Sequence, residues 1–377
     1  MGFDKMGGSA TAGVQQTVPM QIRTVGVEEE FLLVDPHTGR VRAAAQQVAP
    51  LAGDQAQREL TQEQVETGTN PVRDLAELRE ELVRLRRQAA GAAVGSGVAL
   101  AALATSPLPA IPTTTRSTRY LTMTAEFGQV GREQLTCGCH VHVGIDSRAE
   151  GVGALDRIRP WLPCLAAISA NSPFWDGQDT GYASWRTQMW QRWPSAGPTE
   201  LFGSAEAYDE VADDLVRSGV LLDRAMLYYD ARLSNHLPTL EVRVGDVCGS
   251  ADDAVLLAAL ARALVSTGAR AWSEGVPPAP VRTELLKAAQ WRASRSGVRG
   301  ELVDVLERRP VPAPTLLDRL VEHLRPELDR AGDTDLVLSG LDRLVHEGTG
   351  ADRQRAAYAQ DGDLAEVVLD AVTRTLA

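Results

Sequence analysis

Lysine is almost missing from this chain. Only Lys5 and Lys287 are lysines among the 38 basic residues; the rest are arginines. Neither lysine follows a glycine, so the phosphate-binding pattern GxxxxGK[ST] is not met. Schiff-base chemistry has almost no candidate amine. No GxGxxG follows a strand-like run, which leaves a dinucleotide-binding site without support. The four cysteines, Cys137, Cys139, Cys164 and Cys248, form no CxxC pair. The start, "MGFDKMGGSATAGVQQ", lacks the apolar stretch of a secretory signal. No run of about 18 apolar residues suggests a membrane span. Positive charge is also short overall: 50 acidic residues give a net charge of −12. That excludes a general nucleic-acid binder and argues against docking on anionic membranes. A reduced, cytoplasmic protein is the expectation. Any phosphate it handles must be met locally, by metal ions or a few arginines.

What is present is a chain of 377 residues, 44% hydrophobic, enough for one large domain or two ordinary ones. Residues 1–20 read as a disordered tail. Strands are expected near 22–34, 59–67, 98–109, 134–145 and 239–247. Asn70 and Pro71 look like the N-cap and first position of a helix whose charged face is solvated. A helix over 154–170 is bent by Pro160 and Pro163, and a strongly apolar one covers 252–272. Between them, 171–198 holds Trp175, Trp185, Trp190 and Trp193 with little periodicity. That segment reads either as a binding loop or lid, or as a cap over the core. After a break near 274–281 the chain reads as helices only. Strands first, with helices between and after them, favour an α+β fold.

The chemistry begins in "TVGVEEEFLLVDP" (24–36). Strand side chains alternate faces. Glu28 and Glu30 therefore share one face, while Glu29 joins Val25, Val27, Phe31 and Leu33 on the other. Two carboxylates about 7 Å apart on one face pack poorly but suit a divalent cation; an exposed acidic edge is the plain alternative. Glu66 adds an acid on the next strand. In "CHVHVG", His140 and His142 share a face with Gly138 and Gly144, and the cysteines turn to the core. In "LEVRV", Glu241 and Arg243 share a face, with a salt-bridged pair as the plain alternative. If these strands are neighbours, the face is a carboxylate-lined funnel. Its oxygen-rich donors select Mg²⁺ or Mn²⁺ over Zn²⁺. With arginines nearby and no P-loop, phosphoryl transfer by another route is indicated.

"GVEEEF", "CGCHVHVGI", "SANSPFWDGQDTGYASWR", "PTLEVRVGD", "DDAVLLAALARALV" and "AAQWRASRSG" (288–297) occur in this order over about residues 22–300. Together they resemble the type 2 glutamate–cysteine ligase-like family, bacterial carboxylate–amine ligases of the YbdK type in the glutamine synthetase-like superfamily. The resemblance implies a curved, mostly antiparallel β-sheet funnel with helices on its outer face. It implies a single catalytic domain over 21–377, with 281–377 mainly helical. ATP is the implied co-substrate and Mg²⁺ or Mn²⁺ the implied cofactor. The implied reaction forms an amide from glutamate, or a related carboxylate, and an amine or amino acid. It runs through a γ-glutamyl phosphate and releases ADP and phosphate. By residue, the resemblance assigns Glu28, Glu30, Glu66, His140 and Glu241 to metal, and His142 and Arg243 to ATP phosphates. Arg243 and Glu30 are the catalytic residues it implies. Arg186 and Arg232 are implied contacts for a substrate carboxylate, and the Trp-rich segment would close over the intermediate. Neither nucleic acid nor membrane is an expected partner; a homo-oligomer is compatible. A non-catalytic ATP or amino-acid sensor on this scaffold and a metal-dependent amide hydrolase are the other readings.

Overall fold

Three strands pair with β1 (Val25–Val34), which carries the triple glutamate. The computed structural model describes residues 21–376, so the tail expected over 1–20 lies outside the described residues. The other strands of the main sheet are β2 (Ala56–Arg58), β3 (Gln64–Gly68), β4 (Ala99–Ala101), β5 (Gly138–Gly144), β6 (Ala231–Leu233) and β7 (Thr239–Asp246). Their order is β2-β3-β1-β5-β7-β6, with β4 on the C-terminal half of β1, and every pairing is antiparallel.

One face of this sheet is dry. Val25, Val27, Val141, Val143, Leu240 and Val242 are buried there in one core with Leu257 and Leu260. The last two belong to a helix Ala251–Ser273, which, like the helix Leu75–Gly95, packs on this face. Ser250 caps Ala251–Ser273, its Oγ accepting from Asp253 N–H at 3.2 Å, and Asp252 and Asp253 favour its positive end. By length and composition this helix would cross a membrane, but 89% of its most apolar stretch is buried inside the fold.

Several elements differ from the sequence reading. The helix after Pro71 begins at Leu75, because the Asp74 carboxylate caps it, accepting from Ala76 N–H at 2.6 Å. The face of that helix read as solvated includes Arg86, which is fully buried. The strand expected over 59–67 is broken: the chain leaves β2 at Arg58 and re-enters the sheet at Gln64. The strand expected over 98–109 ends at Ala101, well ahead of Pro107 and Pro109. The helices-only tail contains a hairpin, Glu301–Asp304 with Arg309–Pro312. Asp304 Oδ1 ties its turn by accepting from the N–H groups of Leu306 and Glu307. The alternating prolines 310 and 312 suit a strand with an outward-facing N–H row.

Candidate active site

The other face of the sheet carries the polar side chains, and the strand register lines them up. Glu30 lies opposite Glu66, and Glu28 opposite His140. His142 lies opposite Glu241, and Glu241 opposite Arg232. One continuous row therefore crosses β3, β1, β5, β7 and β6.

Glu28 stands at its middle, with Oε1 3.3 Å from His142 Nε2 and Oε2 3.6 Å from His140 Nδ1. Burial pushes its carboxyl up, yet the two histidines outweigh this and hold it well below the usual carboxylate range. Glu241 is lowered in the same way: burial opposes, and the charges of Arg243 and Arg232 win. Arg232 Nε donates to Glu241 Oε2 at 2.7 Å, and Arg243 Nη1 donates to its other oxygen. His142 Nδ1 is 2.9 Å from Thr239 Oγ1, which fixes the ring. Glu30 Oε2 accepts from Gly138 N–H at 2.6 Å. Gly138 leaves room for the functional side chains here. A Cβ would collide with Arg186 Nη2 and lie 2.8 Å from His140 Nε2.

A further acid, missed by the sequence reading, completes the group. Glu59 lies in the link between β2 and β3, and its carboxyl is pushed up to about 8 by burial and then by the charge of Glu30. Glu66 is raised well above its ordinary value by burial and then by Glu59. On one unbroken strand, positions 59 and 66 would face opposite sides, so strand parity hides Glu59. The irregular link turns it back toward Glu66. Its only sequence signal is an acid ahead of Glu63 and Glu66.

The donor set fits a hard divalent cation. Ligand atoms of Glu28, Glu66 and His140 lie within 4.8 Å of one another, as do those of Glu28, His142 and Glu241, and those of Glu30, Glu59 and Glu66. Carboxylate oxygens dominate. His140 Nε2 is buried without a hydrogen-bond partner among the described residues, and His142 Nε2 has only the 3.3 Å contact to Glu28 Oε1. Burial first, and the neighbouring carboxylates second, raise Glu59 and Glu66; a cation relieves the second of these.

Two cavities meet at Glu28. The larger, about 720 Å³, lies over Thr24, Gly26, Gly68, His142 and Thr239, at one end of the strands. The smaller, about 270 Å³, lies over Glu30, Glu59, Glu66, His140 and Arg243, at the other. Trp190 and Trp193 wall the smaller one. Trp193 Nε1 donates to Gln134 Oε1 at 2.9 Å, and Trp190 packs on Tyr228 with ring centres 4.8 Å apart. The Trp-rich segment is anchored at its base, because the Asp246 carboxylate accepts from Asn171 N–H, Ser172 Oγ and Ser184 Oγ at 2.7–2.8 Å.

Of the two arginines expected at a substrate carboxylate, Arg232 is held by its neighbours, and Arg186 keeps its buried Nε without a hydrogen-bond partner among the described residues. Arg232 lines the smaller cavity, but gives Nε and Nη2 to Glu241 and Nη1 to the carbonyls of Ala225 and Leu227. Arg186 is 2% exposed and lines neither cavity; it stands behind Trp190, 5.6 Å from the ring centre.

The model of glutamate–cysteine ligase family 2 matches residues 24–370. The chain belongs to that family. A Frankia alni protein provisionally named glutamate–cysteine ligase 2-2 is 58% identical over 365 residues, covering 92% of this chain and 95% of its own. A Streptomyces coelicolor protein provisionally named glutamate–cysteine ligase 2 is 50% identical, covering 94% and 100%. Among solved structures, glutamate–cysteine ligase from Francisella tularensis, crystallised with AMP, superposes with a TM-score of 0.70 at 14% identity, covering 94% of this chain and 89% of that one. A bifunctional glutathione synthetase from Pasteurella multocida gives 0.67 at 16%, covering 94% and 52%. The fold is the glutamine synthetase-like one, and the family member is an ATP-dependent ligase forming a C–N bond between small molecules.

Proposed function

We propose that this ligase activates the side-chain carboxylate of glutamate, or of a close relative, as an acyl phosphate. An amine then displaces the phosphate to give an amide, with ADP and phosphate released. The observation that carries the reading is the single polar row flooring two cavities that meet at Glu28. ATP is assigned to the larger cavity and the amino-acid substrates to the smaller, so the γ-phosphate and the carboxylate meet over Glu28.

Mg²⁺ or Mn²⁺ would be held by Glu28, Glu30, Glu66, His140 and Glu241, with Glu59 added. When bound, the cation neutralises phosphate and carboxylate charge so that two anions can approach. The chain's own residues do the rest. Arg243 lines the smaller cavity, the acid cavity, with its Nε unpartnered among the described residues and placed to support charge on the transferring phosphoryl group. His142, oriented by Thr239, faces the triphosphate from the floor of the larger cavity. Arg232 holds Glu241, and Arg186 supports Trp190 from behind. Trp190 and Trp193 keep water from the acyl phosphate. Residues 21–377 act as one catalytic domain. Four free, buried thiols suit a reducing cytoplasm.

The test is ADP release from Mg-ATP with glutamate and a panel of amines that includes cysteine. ADP that forms only when both co-substrates are present supports the reading. Amide hydrolysis without nucleotide contradicts it.

A further inference from the structure

The acid cavity is lined by three arginines, and two of them are committed. Arg232 and Arg243 both bind Glu241, which is 2% exposed. Withdrawing either would leave a buried carboxylate undercompensated, which is strongly unfavourable. The third, Arg119, is different. It comes from the helix Thr118–Phe127, lines the cavity, and pairs with Asp223, which does not line it. Its Nε and Nη2 each donate to one carboxylate oxygen at 3.0 Å. This is the fork geometry a substrate carboxylate would also use. The two side chains are 37% and 46% exposed, so water screens the pair and its net worth is small. Exchanging Asp223 for another carboxylate therefore costs little. The cavity side of Arg119 is flanked by Tyr120 and Tyr228. Arg119, Tyr228 and Arg243 line the same cavity, so Arg119 shares its space with the reacting end.

We propose that Arg119 is the specificity-determining cation of the acid cavity. It leaves Asp223 to bind the α-carboxylate of an amino-acid substrate, so that α-amino acids are taken and their decarboxylated analogues are not. The inference rests on the ligase reading above. The α-carboxylate belongs either to the carboxylate donor or to the amine acceptor, and the experiment separates these sources.

Steady-state ADP release with Mg-ATP is compared across two matched pairs. Glutamate against 4-aminobutyrate removes the α-carboxylate from the donor; cysteine against cysteamine removes it from the acceptor. The proteins are wild type, Arg119→Gln and Asp223→Asn. Wild type favours the carboxylate-bearing member of at least one pair. Arg119→Gln loses about 10–100-fold of that preference, the weight of one charge-assisted hydrogen-bonded pair. The loss appears in KM for that substrate, with KM for ATP unchanged. The pair that loses its preference identifies the source. Asp223→Asn, which frees Arg119, keeps the preference with an equal or lower KM. A merely structural latch would make Asp223→Asn as harmful as Arg119→Gln, and that result overturns the proposal. So does an Arg119→Gln protein that keeps both preferences. Absence of ADP release by wild type with every pair overturns the ligase reading itself.

Discussion

The two faces of strand β1 treat the same residue type in opposite ways. On the helix side, Glu29 is completely buried and meets Arg86, whose Nε donates at 2.9 Å and whose Nη2 donates at 2.5 Å. Arg86 also donates to the carbonyl of Cys248, and its guanidinium lies 5.5 Å from the Phe31 ring centre. That acid has a partner built into the chain. On the cavity side, Glu30, Glu59 and Glu66 bring ligand atoms within 4.8 Å of one another, while the nearby Arg232 and Arg243 pair with Glu241 instead. The chain leaves that charge open. A carboxylate with an internal cation holds the fold together; a group of carboxylates without one awaits something from solution.

The largest effect comes from breaking the completed side. Arg86→Ala leaves Glu29 buried and alone, and about 3–5 kcal/mol of stability is lost, read as a fall in the denaturation midpoint. Replacing both partners, Glu29→Leu with Arg86→Leu, recovers most of that loss, because no unpaired charge remains. On the open side the outcome inverts. Glu30→Gln keeps or raises the midpoint of the metal-free protein, since it removes repulsion. Its kcat falls by on the order of a hundredfold or more, given that losing a supporting outer-shell group alone gives about 10–100-fold.

Gly138→Ala tests how tightly the row is fitted. The new methyl displaces Arg186 or His140, at about 1–3 kcal/mol, and kcat falls with it while the KM for ATP holds.

The smallest effect is a pH trend. Folded Glu59 keeps its proton up to about pH 8, against an ordinary value of 4.5. Glu66 is shifted in the same direction. Between those values the folded form binds more protons than the unfolded one, so metal-free stability falls as pH rises. The contribution is complete below pH 4.5 and gone above about 8. Metal-free midpoints measured at pH 6 and pH 8 should show this decline, and Mg²⁺ should offset it more at pH 8.

Strand parity made much of this legible from sequence. It divided Glu28 and Glu30 from Glu29, set His140 and His142 on one face, and paired Glu241 with Arg243. Parity works because each of these residues lies within a continuous strand, even though the pairing of β5 with β7 shifts register between Cys139 and Val141. It fails at Glu59, where an irregular link resets the alternation. Arg86 escaped for a related reason: a helical pattern shows which face is charged, and cannot tell a solvated arginine from one buried against an acid 57 residues away. Asp74 rather than Asn70 caps the helix because the chain first forms a bridge to β1 at Val72. Arg186 and Arg232 lie near the row, but their hydrogen-bond partners depend on tertiary contacts that no local pattern encodes.

The central claim is that the cavity side of β1 is completed by a divalent cation and the helix side is not. Titration of metal-free protein with Mn²⁺, followed by the loss of its free electron-spin resonance signal, addresses it directly. Saturable binding by wild type that disappears in Glu30→Gln and persists in the Glu29→Leu, Arg86→Leu protein is the predicted result. Equal binding by wild type and Glu30→Gln would contradict the account.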